Sequence, residues 1–395
     1  MTRPFEGIKV IDITHVLAGP FAAYQLALLG ADVIKVEAPD DPDQSRGTGS
    51  DRALNRGLMG TGFLTQASNK RSITLDLKKE RGREILKKLV ATADIMVENY
   101  RPGAFKALGL GYEDMIKINP RLIYCSMSAF GQDGPRGTMT AYDHVIQSTS
   151  GVMASTGTRE ATPLKVGVPA IDYATGTTGA FALATALFQR ERTGKGQYID
   201  MAMLDVALML QASHVTGYLR TGKEPKPPGN DHLFASNSCY QTKDGLLMLG
   251  ASNRRQHKRI FAALGRPELG DKDNEHREDH RAEEAAILRE ILMTRTAAEW
   301  EDFFQSRHVP ASRVRPMAEA LADPQVAHRG VLHRFEGAPG VEGPFAVPMT
   351  AFKLAHGGAR VDSPPPELGA HTADVLRSLG YGDKEIAALR EEKIV

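Results

Sequence analysis

The opening third of the chain alternates short apolar runs with amphipathic ones, and this alternation constrains the fold more than any other feature. Gly7-Ile-Lys-Val-Ile-Asp-Ile13 reads as a strand, Phe21–Leu29 as a helix and Ala31-Asp-Val-Ile-Lys-Val-Glu37 as the next strand. Pro20 stands near the first helical position and Gly30 just past the last, the usual punctuation of a helix. Strand, helix and strand in so short a span make a βαβ unit, which implies a parallel sheet. Further strands are expected at 69–77, 94–100 and 121–127, with a helix over 79–93 and another opening at Arg101-Pro-Gly-Ala104. The expected architecture is α/β, a Rossmann-like doubly wound large domain. Sheets of that kind bind ligands outside the carboxyl ends of their strands. Those ends carry His15, Val16 and Leu17, then Leu75, Asp76, Leu77 and Lys78, then Asn99, Tyr100 and Arg101. The three clusters are expected to converge on one ligand, although Lys78 and Arg101 taken singly are ordinary solvated charges.

A first βαβ unit ending in Glu37 invites comparison with dinucleotide-binding enzymes. The turn after the first strand reads His15-Val-Leu-Ala-Gly-Pro20, with one glycine and a proline. The G-x-G-x-x-G spacing that lets a pyrophosphate reach the backbone is missing, which counts against a dehydrogenase.

The most unusual stretch is Lys165-Val-Gly-Val-Pro-Ala-Ile-Asp172-Tyr-Ala-Thr-Gly176-Thr-Thr-Gly179. An apolar, β-like run delivers one carboxylate, and a small-residue helix begins just behind it. Gly176 and Gly179 lie on the same helical side as Asp172 and leave it bare for another backbone or a bulky ligand. Asp172 is expected at or just before the helix N-terminus, where unpaired N–H groups and the helix dipole favour the ionised form. Taken alone, an aspartate there most often caps the helix.

Past a strand at 194–201 and an apolar helix near 204–211, composition shifts at Thr221-Gly-Lys-Glu-Pro-Lys-Pro-Pro-Gly-Asn230, a linker by its Pro and Gly content. Beyond it, Ser238–Leu249 reads as a hairpin turning at Lys243-Asp-Gly245, and helical segments run from Arg254 to Ala322 around Trp300, Phe303 and Phe304. The expected organisation is therefore a large domain over 1–221, a linker over 222–232, a smaller α+β domain over 233–328, and a return over 329–395. Glu336-Gly-Ala-Pro-Gly and Ser363-Pro-Pro-Pro-Glu read as return linkers, residues 39–62 as a long loop, and Leu368–Gly380 as an amphipathic helix packing back on the large domain.

Composition mostly excludes. Among 395 residues, Lys+Arg 49 against Asp+Glu 48 leaves +1, so no basic field points to nucleic acid or an anionic membrane. No apolar run approaches membrane-spanning length, and Met1–Ile8 lacks the apolar core of an export signal. Cys125 and Cys239 stand far apart, which suits a reducing cytoplasm, and Cys125 falls within a strand as an inert core thiol. His276 and His280 have metal-ligand spacing but no third ligand at a recognisable distance, so no metal is expected.

Taken in order, Gly7–Asp12, Ala18-Gly-Pro20, Gly30–Glu37, Asn69-Lys-Arg-Ser72, Val97-Glu-Asn-Tyr-Arg-Pro-Gly103, Asn119-Pro-Arg-Leu-Ile123, Arg192-Thr-Gly-Lys-Gly-Gln197 and Leu368-Gly-Ala-His-Thr372 resemble the class III coenzyme A transferases from end to end. The resemblance implies an open-ring subunit of a large and a small domain, two such subunits interlocked as a homodimer, and CoA or acyl-CoA as substrate. It matches Asp172 to the family's catalytic aspartate, which becomes acylated and then thioesterified while CoA passes between acids. The glycines behind Asp172 would then leave room for backbone N–H groups near the developing oxyanions. It implies CoA contacts at Leu17, Ala18, Leu75–Lys78, Asn99–Arg101, Ala104, Thr140, Ala141, Tyr142, Asp143 and Met203, beside His15 and Val16.

Three departures set this chain apart from formyl-CoA transferases. Leu17 replaces a glutamine, Ala38 replaces an arginine, and no Gly-rich loop occurs near Asn230–Ser252, so oxalate or formate is not the expected acid. A small mono- or dicarboxylate such as succinate fits better. An α-methylacyl-CoA racemase shares the resemblance, but its catalytic histidine corresponds to Tyr142, whose phenol with an ordinary pKa of about 10 is a poor base; His144 is two residues off register. A non-catalytic CoA-binding protein is the third reading.

Overall fold

A computed structural model of the chain describes residues 2–395. Two units emerge, one of residues 2–152, 165–223 and 329–395, the other of 153–164 and 224–328. In chain order the first contributes β1 (Lys9–Ile13), α1 (Ala18–Leu28), β2 (Asp32–Glu37), α2 (Arg52–Arg56), α3 (Thr61–Leu64), β3 (Lys70–Thr74), α4 (Glu80–Val90), β4 (Ile95–Glu98), α5 (Ala104–Ala107), α6 (Tyr112–Ile118) and β5 (Ile123–Ser128). There follow α7 (Asp143–Thr149), α8 (Ala170–Thr193), β6 (Gln197–Ala202), α9 (Met203–Leu210) and α10 (Ala212–Thr221).

The six strands form one parallel sheet in the order β3-β2-β1-β4-β5-β6. That is the doubly wound order, and its direction reverses between β1 and β4, where a crevice must open above the carboxyl ends. Strand alternation explains the layers. Ile11, Ile13, Ile34, Val36 and Met96 face one way, while Val10, Val33, Ile95, Val97, Ile123 and Cys125 face the other. The first set packs on Ile85, Leu86 and Leu89 of α4, the second on Ala22, Ala23 and Leu26 of α1 and Leu183 and Leu187 of α8. Burial pushes the Cys125 thiol up, so it remains protonated packing material.

The second unit holds β7 (Cys239–Gln241) and β8 (Leu246–Leu249), the expected hairpin, together with α11 (Arg254–Ala263), α12 (Pro267–Gly270), α13 (Asn274–Asp279), α14 (Arg281–Leu292), α15 (Ala297–Gln305), β9 (Ala311–Arg313), α16 (Met317–Leu321) and α17 (Pro324–Arg329), whose last residue falls in the first unit. Its antiparallel sheet, β7-β8-β9, packs on Ile260, Phe261, Leu288, Trp300 and Phe304. The chain then returns to the first unit through β10 (Leu332–Phe335) and β11 (Phe345–Pro348), followed by α18 (Thr372–Ser378) and α19 (Asp383–Glu391). Val375, Leu376, Ile386 and Leu389 of the last two helices fill the α4 side of the core, as the amphipathic pattern after Leu368 requires.

Several expectations need correction. Residues 39–62 are not an open loop: a 3-10 turn at Gln44–Gly47 and helices α2 and α3 occupy them, because Asp43 and Asp51 each cap a turn and Met59, Phe63 and Leu64 bury together. The run before Asp172 is irregular rather than a strand, since no strand of the sheet pairs with it. Residues 153–164 group with the smaller unit. Glu336–Gly340 is a turn rather than a linker: Ala338 and Val341 pair between the antiparallel strands β10 and β11.

On strands β1, β2 and β3 and just after β2 lie six buried charges, Asp12, Lys35, Glu37, Asp43, Arg46 and Lys70. Lys70 Nζ is 2.8 Å from Asp12 Oδ2, Lys35 Nζ is 2.9 Å from Asp43 Oδ2, and Arg46 grips Glu37 with two bonds of 2.7 Å while lying 3.7 Å over the Phe63 ring. Three positive and three negative charges so arranged offset each other's loss of water.

Candidate active site

The crevice forms where the sheet order reverses. His15 N–H donates to Asn99 Oδ1 (2.9 Å), Asn99 Nδ2 donates to the His15 carbonyl (2.8 Å), and the His15 ring meets Tyr100 Oη at 2.9 Å. The loops after β1 and β4 are thereby locked together. Burial, reinforced by the nearby Lys35 charge, lowers the His15 pKa, so the imidazole is neutral.

Val16 sits between them at φ 74°, a left-handed conformation that a β-branched residue adopts only at a cost of about 1–3 kcal/mol. Both its peptide groups are tied down: its N–H donates to Asp43 Oδ1 (2.9 Å), and its carbonyl accepts from Gln66 Nε2 (2.6 Å). The buried charges thus hold a strained residue in the floor of the crevice.

A cleft of about 820 Å³ runs along this edge, lined by His15, Val16, Leu17, Ala18, Lys78, Asn99, Tyr100, Arg101, Thr140, Ala141, Tyr142, Met203 and Asp172. Leu75, Asp76 and Leu77 line a narrower slot of about 160 Å³ with Phe105 and Leu108, and Ala38, Asp41, Lys78 and Tyr100 line both spaces. A third space of about 470 Å³ shares Val16, Gln44, Tyr142 and Asp172 with the cleft and extends past His144 to residues 165–169. Asp172 therefore stands at the junction of the cleft and this chamber. Ala104 opens α5 beside Arg101 and lines none of the three spaces.

Asp172 lies in the first turn of α8, whose N-cap is Pro169 and has no side-chain cap. It does not cap the helix; Asp143 does that work from outside. Asp143 Oδ2 accepts from Ile171 N–H (2.8 Å) and Asp172 N–H (3.0 Å), and its Oδ1 accepts from Gln147 Nε2. With both oxygens engaged, Asp143 supports α8 while lining the chamber beyond Asp172. The same two bonds remove the first N–H groups that would have favoured ionised Asp172. Its carboxylate, 9% exposed, accepts no hydrogen bond among the described residues, and burial first, then the Asp143 charge, push its pKa up to about 7.

The glycines behind Asp172 face protein atoms. A Cβ on Gly176 would stand 2.7 Å from the Ala18 carbonyl oxygen and 3.0 Å from Phe21, so this bare side is where α1 crosses α8. Sequence reasoning missed Gln44 and Asp41, which lie on a short stretch after β2 without hydrophobic periodicity, and singled out Ala38 and residues 165–169 without recognising them as walls of these spaces.

A doubly wound sheet with a long cleft above its strand ends, and a carboxylate in it that accepts no hydrogen bond among the described residues, defines an α/β protein with a preformed binding cleft. The chain belongs to CoA-transferase family III, whose profile matches residues 5–372, and it is a CoA-transferase-type enzyme. It is 38% identical to human succinyl-CoA:glutarate CoA-transferase over 100% of this chain and 90% of that protein. It is 36% identical to succinate–glutarate CoA-transferase of Agrobacterium fabrum, over 95% and 96%. A crystal structure of a CAIB/BAIF family protein from Brucella suis superposes with a TM-score of 0.82 at 34% identity, covering 96% of this chain and all of that one.

Proposed function

We propose that the protein moves CoA from an acyl-CoA to a free carboxylic acid with Asp172 as the covalent carrier, and that its acids are small dicarboxylates. The observation that carries this reading is the position of Asp172, nearly buried, its carboxylate accepting no hydrogen bond among the described residues, and common to the cleft and the chamber. A carboxylate deprived of water and donors is a stronger nucleophile once ionised. It attacks the thioester carbonyl, the C–S bond breaks, and CoA thiolate leaves an aspartyl–acyl anhydride. The thiolate attacks the aspartyl carbonyl, expelling the first acid and leaving an aspartyl-CoA thioester. The incoming carboxylate attacks that thioester, freeing the thiolate again, and the thiolate then takes the new acyl group and restores Asp172. Protons balance throughout, and no metal is required.

CoA lies along the cleft. The slot between Leu75, Leu77, Tyr100 and Phe105 suits a flat adenine, and Lys78 and Arg101 supply charge for the phosphates. The dicarboxylate assignment leans on the names of the relatives. Phe181 and Phe188 on α8 and Leu219 on α10 are well exposed, which favours a covering partner and the interlocked homodimer; sedimentation at a monomer mass would contradict it. A reducing cytoplasm remains the compartment that suits two free cysteines.

The experiment is exchange between several acyl-CoA donors and a panel of acids, read by mass spectrometry. Asp172→Ala abolishes exchange while CoA still binds, and borohydride trapping during wild-type turnover marks Asp172. Exchange that survives in the alanine variant refutes the carrier role. Deuterium entering the α-carbon without acyl exchange would identify a racemase instead, and tight CoA binding without exchange a non-catalytic protein.

A further inference from the structure

The chamber beyond Asp172 is where an acyl group must sit while joined to that side chain, and its lining is uneven in charge. Val16, Val166, Val168 and Pro169 give it apolar walls. Five titratable residues line it: Tyr142, Asp143, His144, Lys165 and Asp172. Asp143 is occupied by α8 and Gln147, and Asp172 is the reacting group. Lys165 is the one lysine or arginine among the described lining residues, and its ammonium has neither an ion pair nor a hydrogen bond among the described residues.

An exposed lysine is ordinarily a solvated surface charge worth little. The backbone around this one is not ordinary. Val166 N–H donates to Gln147 Oε1 at 2.8 Å, the same Gln147 donates to Asp143, and Asp143 accepts from Ile171 and Asp172. Ala170 N–H closes on the Val168 carbonyl at 2.7 Å. Residues 166–172 therefore form a hoop fastened at both ends to one side-chain pair, with Lys165 just before one end and Asp172 at the other. The backbone positions from which Lys165 and Asp172 extend are held by these bonds, which lowers the ordering cost of any ligand that bridges the two side chains.

We propose that Lys165 is a specificity-determining residue that receives the remote carboxylate of a dicarboxylic acid while its other carboxyl group reacts at Asp172. This deepens the preceding reading and rests on Asp172 being the acyl carrier. The methylenes lie on the valine and proline walls, and the second carboxylate accepts charge-assisted hydrogen bonds from the ammonium. Because donor and acceptor acyl groups are each joined to Asp172 in turn, one chamber serves both, so the preference applies to the acyl-CoA as well as to the free acid.

The test compares kcat/KM for glutarate and for pentanoate, acids of equal length, in the full-length protein with butyryl-CoA as donor. Lys165→Met removes the charge and keeps the stem, and Lys165→Glu reverses it. The ratio of the two values is the readout, because partial misfolding lowers both equally. The glutarate-to-pentanoate ratio falls roughly 10- to 100-fold in Lys165→Met, the range of a lost charge-assisted hydrogen bond, and further in Lys165→Glu. Glutaryl-CoA against pentanoyl-CoA as donors shows the same fall. A ratio equal to that of the wild type in both variants overturns the role of Lys165 while leaving the carrier mechanism standing. Absence of any wild-type exchange and of any adduct on Asp172 removes the reading beneath it.

Discussion

Asp172 shows how one side chain takes its chemistry from its neighbours. An aspartate in the first turn of a helix ordinarily has a low pKa, because the dipole and free N–H groups favour the anion. Here Asp143 takes those N–H groups, and burial together with its negative charge pushes Asp172 up to about 7. The attacking form is the carboxylate, so kcat/KM rises with pH through about 7, as initial rates across a buffer series will show. Stability runs the opposite way. A folded-state pKa raised above the ordinary value makes a stabilising contribution at low pH that is lost as pH rises through about 7. Asp172→Asn therefore raises the melting temperature at pH 8 more than at pH 5. Asp143 is a positioning residue by this account. In Asp143→Asn the midpoint of the pH–rate profile moves down by about one unit, since the like charge is gone while burial remains. A merely structural role would lower the rate and leave that midpoint in place.

At the scale of elements, the crossing of α1 and α8 sets where Asp172 stands. Gly176 admits the Ala18 carbonyl, whereas an added Cβ on Gly179 meets first the flexible end of Met127. The two glycines are three residues apart on one face, yet alanine has different consequences at each. Gly176→Ala costs about 1–3 kcal/mol in denaturant unfolding and lowers turnover, because Ala18 lines the cleft. Gly179→Ala is close to neutral, the helix-propensity gain of up to about 1 kcal/mol offsetting the shift of Met127. The strands and helices of the sheet were legible from the alternation of Val10, Ile11 and Ile13 and its repeats, because burial on two faces imposes a period that the chain must carry. The short helices at 44–64 were not, since single caps and a few buried contacts hold them.

At the scale of the molecule, the buried charges tie distant segments into one platform beneath the cleft. Arg46 joins Glu37 on β2, Ser72 on β3 and the Pro366 carbonyl, and Ser72 Oγ in turn accepts from Gly369 N–H. Arg46→Met leaves the Glu37 carboxylate buried without its partner and costs about 3–5 kcal/mol, measured by chemical denaturation. Adding Glu37→Gln recovers part of that loss, which a simple packing defect would not allow. What the sequence determined by itself was the kind of sheet, the clusters at its strand ends, and the carboxylate followed by small residues, because hydrophobic period and turn chemistry act between near neighbours. The tertiary structure alone decided that Asp143 would cap α8, that Gly176 would admit α1, and that Lys165 and Asp172 would line one chamber. Each of those depends on side chains from separate elements meeting, and no local pattern encodes such a meeting.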